Sequence, residues 1–188
     1  MKKYLYILLL LLAKYGFSQE KYQNMNLYWY RHTEADSSQK IYLSLFNQTE
    51  VTSYGLPPKT ILGVVKDINN PITFDNVIIN DKFLWIFHKV VKERFAHRPD
   101  VQAEADKQKN GQVYIIDNRC KNRQNIPPQD IIGWFPVREQ IVLTEDYKPN
   151  PSYIVFTGDG LFSLPDFVCA ALMTELKKKD APKVEKEE

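Results

Sequence analysis

Glycine is scarce in this chain, 7 among 188 residues, and that scarcity excludes a good deal. The phosphate-cradling patterns G-x-x-x-x-G-K and G-x-G-x-x-G need glycine for close backbone approach, and neither occurs; nor does the G-x-S-x-G turn of serine hydrolases. H-E-x-x-H is missing too, which removes the helical zinc-protease signature. Cysteine is limited to Cys120 and Cys169. Without a Cys-x-x-Cys pair, neither a thioredoxin-type redox centre nor a zinc knot has its ligands. No cofactor and no metal are therefore expected. An excess of either charge is also lacking. Lys+Arg is 25 and Asp+Glu 23, and three of the basic residues (Lys2, Lys3 and Lys14) lie in the first 18, so the remainder carries 22 basic against 23 acidic side chains. That balance has no concentrated positive field with which to displace counterions from phosphates, so no nucleic-acid partner is expected.

Long apolar runs are nearly absent. The longest, residues 4–13 (YLYILLLLLA), follows Lys2 and Lys3 and precedes Gly16 and Ser18. As a helix it spans about 15 Å, half of a bilayer core of about 30 Å, so it is too short for a comfortable anchor. A cationic start, a ten-residue apolar stretch and small residues at the −3 and −1 positions form a secretory signal, with cleavage expected after Ser18. The expectation is an exported protein, periplasmic or extracellular, with no transmembrane anchor once the signal is removed. In such a compartment Cys120 and Cys169 permit one disulfide; two separate thiols, one buried in an apolar helix, fit equally.

Beyond the signal at 1–18, residues 19–26 read as a flexible lead-in, 27–176 as a single α+β domain and 177–188 as a disordered charged tail. Strand-like runs fall at 27–31, 41–46, 60–65 (with Gly63 a candidate bulge), 72–79, 112–116, 131–135, 140–143 and 152–157. Asn80-Asp81 reads as a turn before the apolar run 83–91, which continues this series. A short helix is expected from Pro99 or Asp100 to Lys109. A second is expected over 167–176, with Ser163 as its cap and seven consecutive apolar residues from Phe167 to Met173. Such a helix packs inside the domain, on a partner or on a second copy of the chain. There is no repeat with a period of 20–50 residues. The fold class is α+β, mostly antiparallel β in a small barrel-like or open sheet, with a C-terminal apolar helix.

Few residues offer chemistry. Glu93 and His97 are four apart and would share a helix face, with Asp100 nearby, but no second His or Cys completes a ligand set. Cys120 sits among Arg119, Lys121 and Arg123, cations that favour a reactive thiolate. Tyr28, Trp29 and Tyr30 are consecutive, so in a strand at least one faces outward as a contact surface.

Two stretches resemble known families. Ile132-Gly133-Trp134-Phe135 followed by Val137 and Ile141-Val142-Leu143 resembles the closing Gly-Trp strand of bacterial-type Src-homology-3 barrels. That likeness implies a small barrel that binds peptides, glycans or proteins without catalysis. Residues 153–163 resemble the start of a von Willebrand factor A domain, in which a buried strand leads into a D-x-S-x-S metal loop; Asp159 and Ser163 match, and Leu161 replaces the first serine.

The expected function is a non-catalytic binding or assembly module of the bacterial cell envelope, with an envelope protein or cell-wall component as partner. Its candidate contact residues are Tyr28, Trp29, Tyr30, Trp134, Val168 and Leu172, the last two also serving a homo-oligomer built through the C-terminal helix. The alternatives are a small secreted hydrolase using Cys120 or the Glu93/His97 neighbourhood, and a secreted inhibitor or immunity-like protein with 92–110 as its contact loop.

Overall fold

The computed structural model describes residues 22–34 and 36–179. The signal segment and the last nine residues of the tail lie outside them. A short strand β1 (Tyr22–Asn24) comes first, followed by an antiparallel meander of β2 (Tyr28–Thr33), β3 (Gln39–Ser44), β4 (Ile61–Val65) and β5 (Val77–Ile79). Between β3 and β4 lies helix α1 (Gln48–Tyr54), started by a capping box in which Asn47 and Glu50 each satisfy the other's free amide. Helix α2 (Asp81–Phe95) follows β5 directly, with Asn80 as its cap. Helix α3 (Pro99–Asp106) places proline in its first turn, where the missing N–H costs nothing.

A second antiparallel sheet contains β6 (Asn110–Ile116), β7 (Ile131–Arg138) and β8 (Ile141–Val142), with β9 (Lys148–Pro149) also on β7. Strands β7 and β8 are joined through Glu139 and Gln140, at φ 50° and 67°, the left-handed pair that matches strand twist in a two-residue hairpin. A small hairpin, β10 (Phe156–Thr157) with β11 (Gly160–Leu161), leads to β12 (Ser163–Pro165), which pairs with β1, and the last helix is α4 (Asp166–Lys177). The fold class is α+β. None of the helices among the described residues is long and apolar enough to cross a membrane.

Helix α2 organises the core. Phe83, Ile86, Phe87, Val90, Val91 and Phe95 repeat at helical spacing and are all buried. One side of α2 meets the turn before β4, and α4 packs along it. Phe87 stacks on Tyr153 with ring centroids 5.6 Å apart and meets Phe162 edge-on at 5.0 Å, which ties α2 to the second half of the chain. Lys89 pairs with Glu175 of α4 at 2.5 Å, and Lys177 of α4 reaches Glu50 of α1 at 2.7 Å.

The two sheets are built around one repeated device. Pro57-Pro58-x-x-Ile61-x-Gly63 recurs 70 residues later as Pro127-Pro128-x-x-Ile131-x-Gly133, and an asparagine follows each glycine by 17 residues, Asn80 and Asn150. Each Pro-Pro forms a single 3-10 turn into the central strand. Nδ2 of Asn80 donates to Pro58 O (2.6 Å) and Ile61 O (2.8 Å), and its N–H donates to Leu62 O (2.9 Å). Asn150 does the same to Pro128 O (2.8 Å), Ile131 O (2.7 Å) and Ile132 O (3.0 Å). A Cβ on Gly63 would lie 2.7 Å from Ile78 O, and one on Gly133 2.6 Å from Lys148 O, so both central strands need glycine where the neighbouring backbone approaches. The strand before each device carries its register shift at the same place, between Leu43 and Ser44 and between Ile115 and Ile116. Thus Tyr42 corresponds to Tyr114, and β3, β4, β5 correspond to β6, β7, β9.

Several expectations are corrected. The run 83–91 is helical, and Asn80 caps it. Residues 22–24 of the lead-in are a strand on β12. Ser163 lies in β12 and caps nothing; α4 starts at Asp166 after Pro165 and has no side-chain cap. The run 152–157 contributes only Phe156 and Thr157 to a strand. The likeness of Gly133–Leu143 to a barrel-closing hairpin holds locally, because β7 does turn tightly into β8. The sheets, however, are open four-stranded arrays.

Candidate functional site

Alternation along β2 separates the three aromatics. Trp29 lies opposite Leu43, on the side of the sheet that carries the core, yet it is 57% exposed because β2 is an edge strand. Tyr28 and Tyr30 face the other side, both half-buried, and the Tyr30 hydroxyl donates to Phe46 O at 2.7 Å. Burial raises the pKa of Tyr30, so the hydroxyl stays a donor. Trp134 is half-buried on β7 beside exposed Tyr114 on β6, with ring centroids 6.2 Å apart.

Among the described residues strand β6 is a free edge of the second sheet. Asn150 N–H bonds Ile132 O and Leu143 N–H bonds Pro136 O, so Ile132, Trp134 and Pro136 turn their backbone groups away from β6. Opposite them, Gln112 and Tyr114 therefore direct N–H and C=O to the open side. Gln112 confirms this geometry: its N–H and C=O are met by the side-chain amide of Gln108, at 3.2 and 3.4 Å. Tyr114 has no such cover among the described residues. A cleft of about 670 Å³ runs along this edge, lined by Glu104, Gln108, Gly111, Gln112, Tyr114 and Ile116. A second of about 250 Å³ adjoins it, with Phe95, Val101, Val113, Ile115 and Pro165 among its walls.

The residues offered for chemistry are placed otherwise. Helix α2 stops at Phe95, so exposed Glu93 and His97 do not share a helical face. Asp100 is held by Arg98 through two bonds of 2.7 and 2.8 Å. Among the described residues no three His, Cys, Asp or Glu side chains converge as a metal site. The positions matching a D-x-S-x-S loop form no such loop, since Ser163 is in a strand paired with Asn24.

Cys120 and Cys169 are both free and buried, which corrects the disulfide alternative. The Cys120 thiol donates to Asn122 O at 3.3 Å. Burial pushes the Cys169 thiol up to about 11, so it is protonated at neutral pH. Neighbouring Arg119 is engaged elsewhere. Its guanidinium donates to Asp117 Oδ2 (3.1 Å), Thr157 Oγ1 (3.1 Å), Gly160 O (2.8 Å) and Ile154 O (2.6 Å). Asp117, wholly buried, also accepts from the Tyr153 hydroxyl at 2.8 Å and the Ser163 amide at 3.0 Å. Asp130, 3.9 Å from Arg119, has its carboxyl pushed up by burial, with the Arg119 charge opposing. This knot pins the loop 154–163 to the second sheet, and the Arg119 side chain, only 5% exposed, spends four of its five N–H donors within it.

His88, half-buried on α2, is another titratable group whose setting shifts it. Its Nδ1 lies 3.0 Å from the Tyr147 hydroxyl, and burial lowers its pKa to about 4, so it is neutral at physiological pH. Val168 and Leu172 are 0% exposed. They sit on the core side of α4, which corrects their assignment as partner contacts; a second copy cannot reach them. The outer side of α4 instead presents Phe167, 44% exposed, with Arg98 over its ring at 5.4 Å. The segment 92–110 is largely the end of α2 and α3, not a free loop. Sequence reasoning missed the β6 edge and Tyr114, although Pro136 opposite Gln112 was a signal: proline has no N–H, so it fits a position outside the β6–β7 ladder.

No protein-family model matches this chain, and neither does any curated protein or solved structure.

Proposed function

We propose that this protein is an exported, non-catalytic binding or assembly module of the bacterial cell envelope, engaging a protein or cell-wall partner. The observation that supports binding is that two strand edges left open among the described residues, β2 and β6, each carry an exposed aromatic, Trp29 and Tyr114. An open edge offers a row of backbone donors and acceptors, and proteins that keep one uncovered use it for recognition or block it with charge. The rings beside the edges add rigid contact area with a polar tip. Export is supported by the cationic and apolar start of the chain and by Gly16 and Ser18.

The test is cross-linking in intact cells that make the full chain with a C-terminal tag, followed by fractionation and intact mass. The expected result is a chain beginning at Gln19 outside the cytoplasm. It should carry a stoichiometric partner that is lost in the double variant Trp29→Ser, Tyr114→Ser with melting temperature unchanged. An uncut chain confined to the cytoplasm would overturn the reading, as would a partner indifferent to both substitutions.

A further inference from the structure

The repeat makes the two sheets comparable strand by strand, and one strand has no counterpart. In the first sheet the edge of β3 is covered by β2, with Tyr30 directly opposite Tyr42. Asn80 N–H bonds Leu62 O, so Leu62 and Val64 turn toward β5; Tyr42, opposite Val64, therefore spends its own N–H and C=O on Tyr30. In the second sheet Tyr114 takes the place of Tyr42 and Trp134 that of Val64. The place of Tyr30 is open, and the 670 Å³ cleft lies there.

We propose that the outer edge of β6 accepts an extended, strand-forming segment of a partner protein, antiparallel to β6, in the position that β2 fills in the first half. This inference rests on the binding-module reading and names its surface and the form of its partner. The incoming residue opposite Tyr114 exchanges two backbone hydrogen bonds with it and sets its side chain beside Tyr114 and Trp134, where an aromatic or β-branched residue packs best. Its two neighbours point to the other side, opposite Val113 and Ile115, into the smaller cleft, whose walls set Phe95, Val101 and Pro165 beside Arg98, Asp100 and Glu104. Those positions take side chains that join an apolar body to a polar end, as Trp29 and Arg31 do on either side of Tyr30. The partner is thus a segment of about five residues with an aromatic or β-branched residue opposite Tyr114 and amphipathic residues flanking it. Gln108 holds the edge at Gln112 through two long bonds and gives way when a strand arrives.

The probe is an acetylated, amidated and fluorescently labelled peptide of residues 27–33 (LYWYRHT), the sequence that fills the equivalent place. It is titrated with the full chain by anisotropy. In β2 the N–H of Tyr30 faces β3 and that of Arg31 faces away, so the peptide is also made with a single N-methyl group at one or the other. The expected result is saturable binding, weakened about tenfold or more by N-methylation at Tyr30 and retained with N-methylation at Arg31. Tyr114→Pro removes an outward N–H and no bond of the β6–β7 ladder; it should abolish binding while the melting temperature stays near that of the parent. If that variant fails to fold, amide shift mapping on the parent chain replaces it, and changes must centre on Tyr114 and Ile116. Absence of saturable binding would overturn the proposal. So would equal sensitivity to both N-methyl groups, shifts confined to β2, or a Tyr114 amide already protected in the free chain by a second copy or by the chain's own residues before Tyr22. An envelope partner that survives Tyr114→Pro would overturn the β6 proposal alone. Peptide binding without an envelope partner would overturn the envelope reading alone.

Discussion

Asn80 and Asn150 do the same work 70 residues apart, and replacing either by alanine should cost about the same. Each Nδ2 donates two hydrogen bonds, at 2.6 and 2.8 Å for Asn80 and 2.8 and 2.7 Å for Asn150. Each Oδ1 accepts a third at 3.0 Å, from Lys82 N–H or Ser152 N–H. A net value of about 1 kcal/mol per bond gives an upper figure of about 3 kcal/mol per site. One carbonyl in each set is reachable by water and recovers part of that, so about 2 kcal/mol is expected. For a domain of this size, about 2 kcal/mol lowers the melting temperature by roughly 4–8 °C. Equilibrium urea unfolding of both variants and of the parent, with a common slope, measures it. A loss below about 0.5 kcal/mol at either site, or a large loss at one and none at the other, would refute the equivalence of the two halves.

The His88 ring, lowered to about 4 by burial, resists protonation in the fold but not in the unfolded chain. Its contribution to stability is full above its ordinary value near 6.5 and is lost as pH falls from there toward 4, amounting to about 2 kcal/mol by pH 5. His88→Gln, unfolded in urea at pH 7 and pH 5, should show a correspondingly flatter loss than the parent; an unchanged slope would contradict the burial argument. Leu172→Ala should cost about 3 kcal/mol through a cavity beneath α4 and leave the sedimentation coefficient of the folded chain unchanged. A change of oligomeric state at constant stability would restore α4 as a docking helix. Cys120 and Cys169 should resist iodoacetamide in the native protein and both react in denaturant; an intact mass corresponding to a bridged pair would contradict two free thiols.

Much of the fold was readable wherever one signal stood alone. Tyr28–Thr33, Gln39–Ser44 and Asn110–Ile116 are strands where β-branched and aromatic residues cluster, and Pro99 opens a helix as its position in the chain indicates. The 83–91 run misled because half-buried Leu84 widens the core-facing side of α2 and Trp85, 67% exposed, adds an apolar residue to its outer side, which together blur its period. Helix α1 carried a readable capping box, Asn47 and Glu50, hidden within a polar stretch. Seven consecutive apolar residues in α4 looked like a helix buried all round. Ala170 and Phe167 face solvent, because small or cation-covered apolar groups are tolerated there. The repeat was missed for a different reason. Only Pro-Pro, Ile, Gly and Asn recur, at positions where the backbone geometry allows little else, while the surface residues between them differ. The open edge of β6 left only Pro136 as a mark in the sequence, and a single proline does not say which side of a strand is uncovered until the strand that fills the twin position is known.

The measurement that tests the central claim most directly is amide hydrogen exchange at two tyrosines. Tyr42 and Tyr114 occupy equivalent positions, and the first is paired with Tyr30 while the second faces the open edge. In the free chain the Tyr42 amide should be protected and the Tyr114 amide should exchange near the rate of an unstructured peptide; with the 27–33 peptide bound, Tyr114 should become protected as well. A Tyr114 amide as slow as Tyr42 in the free monomer, or one that stays fast when the peptide is bound, would contradict the account.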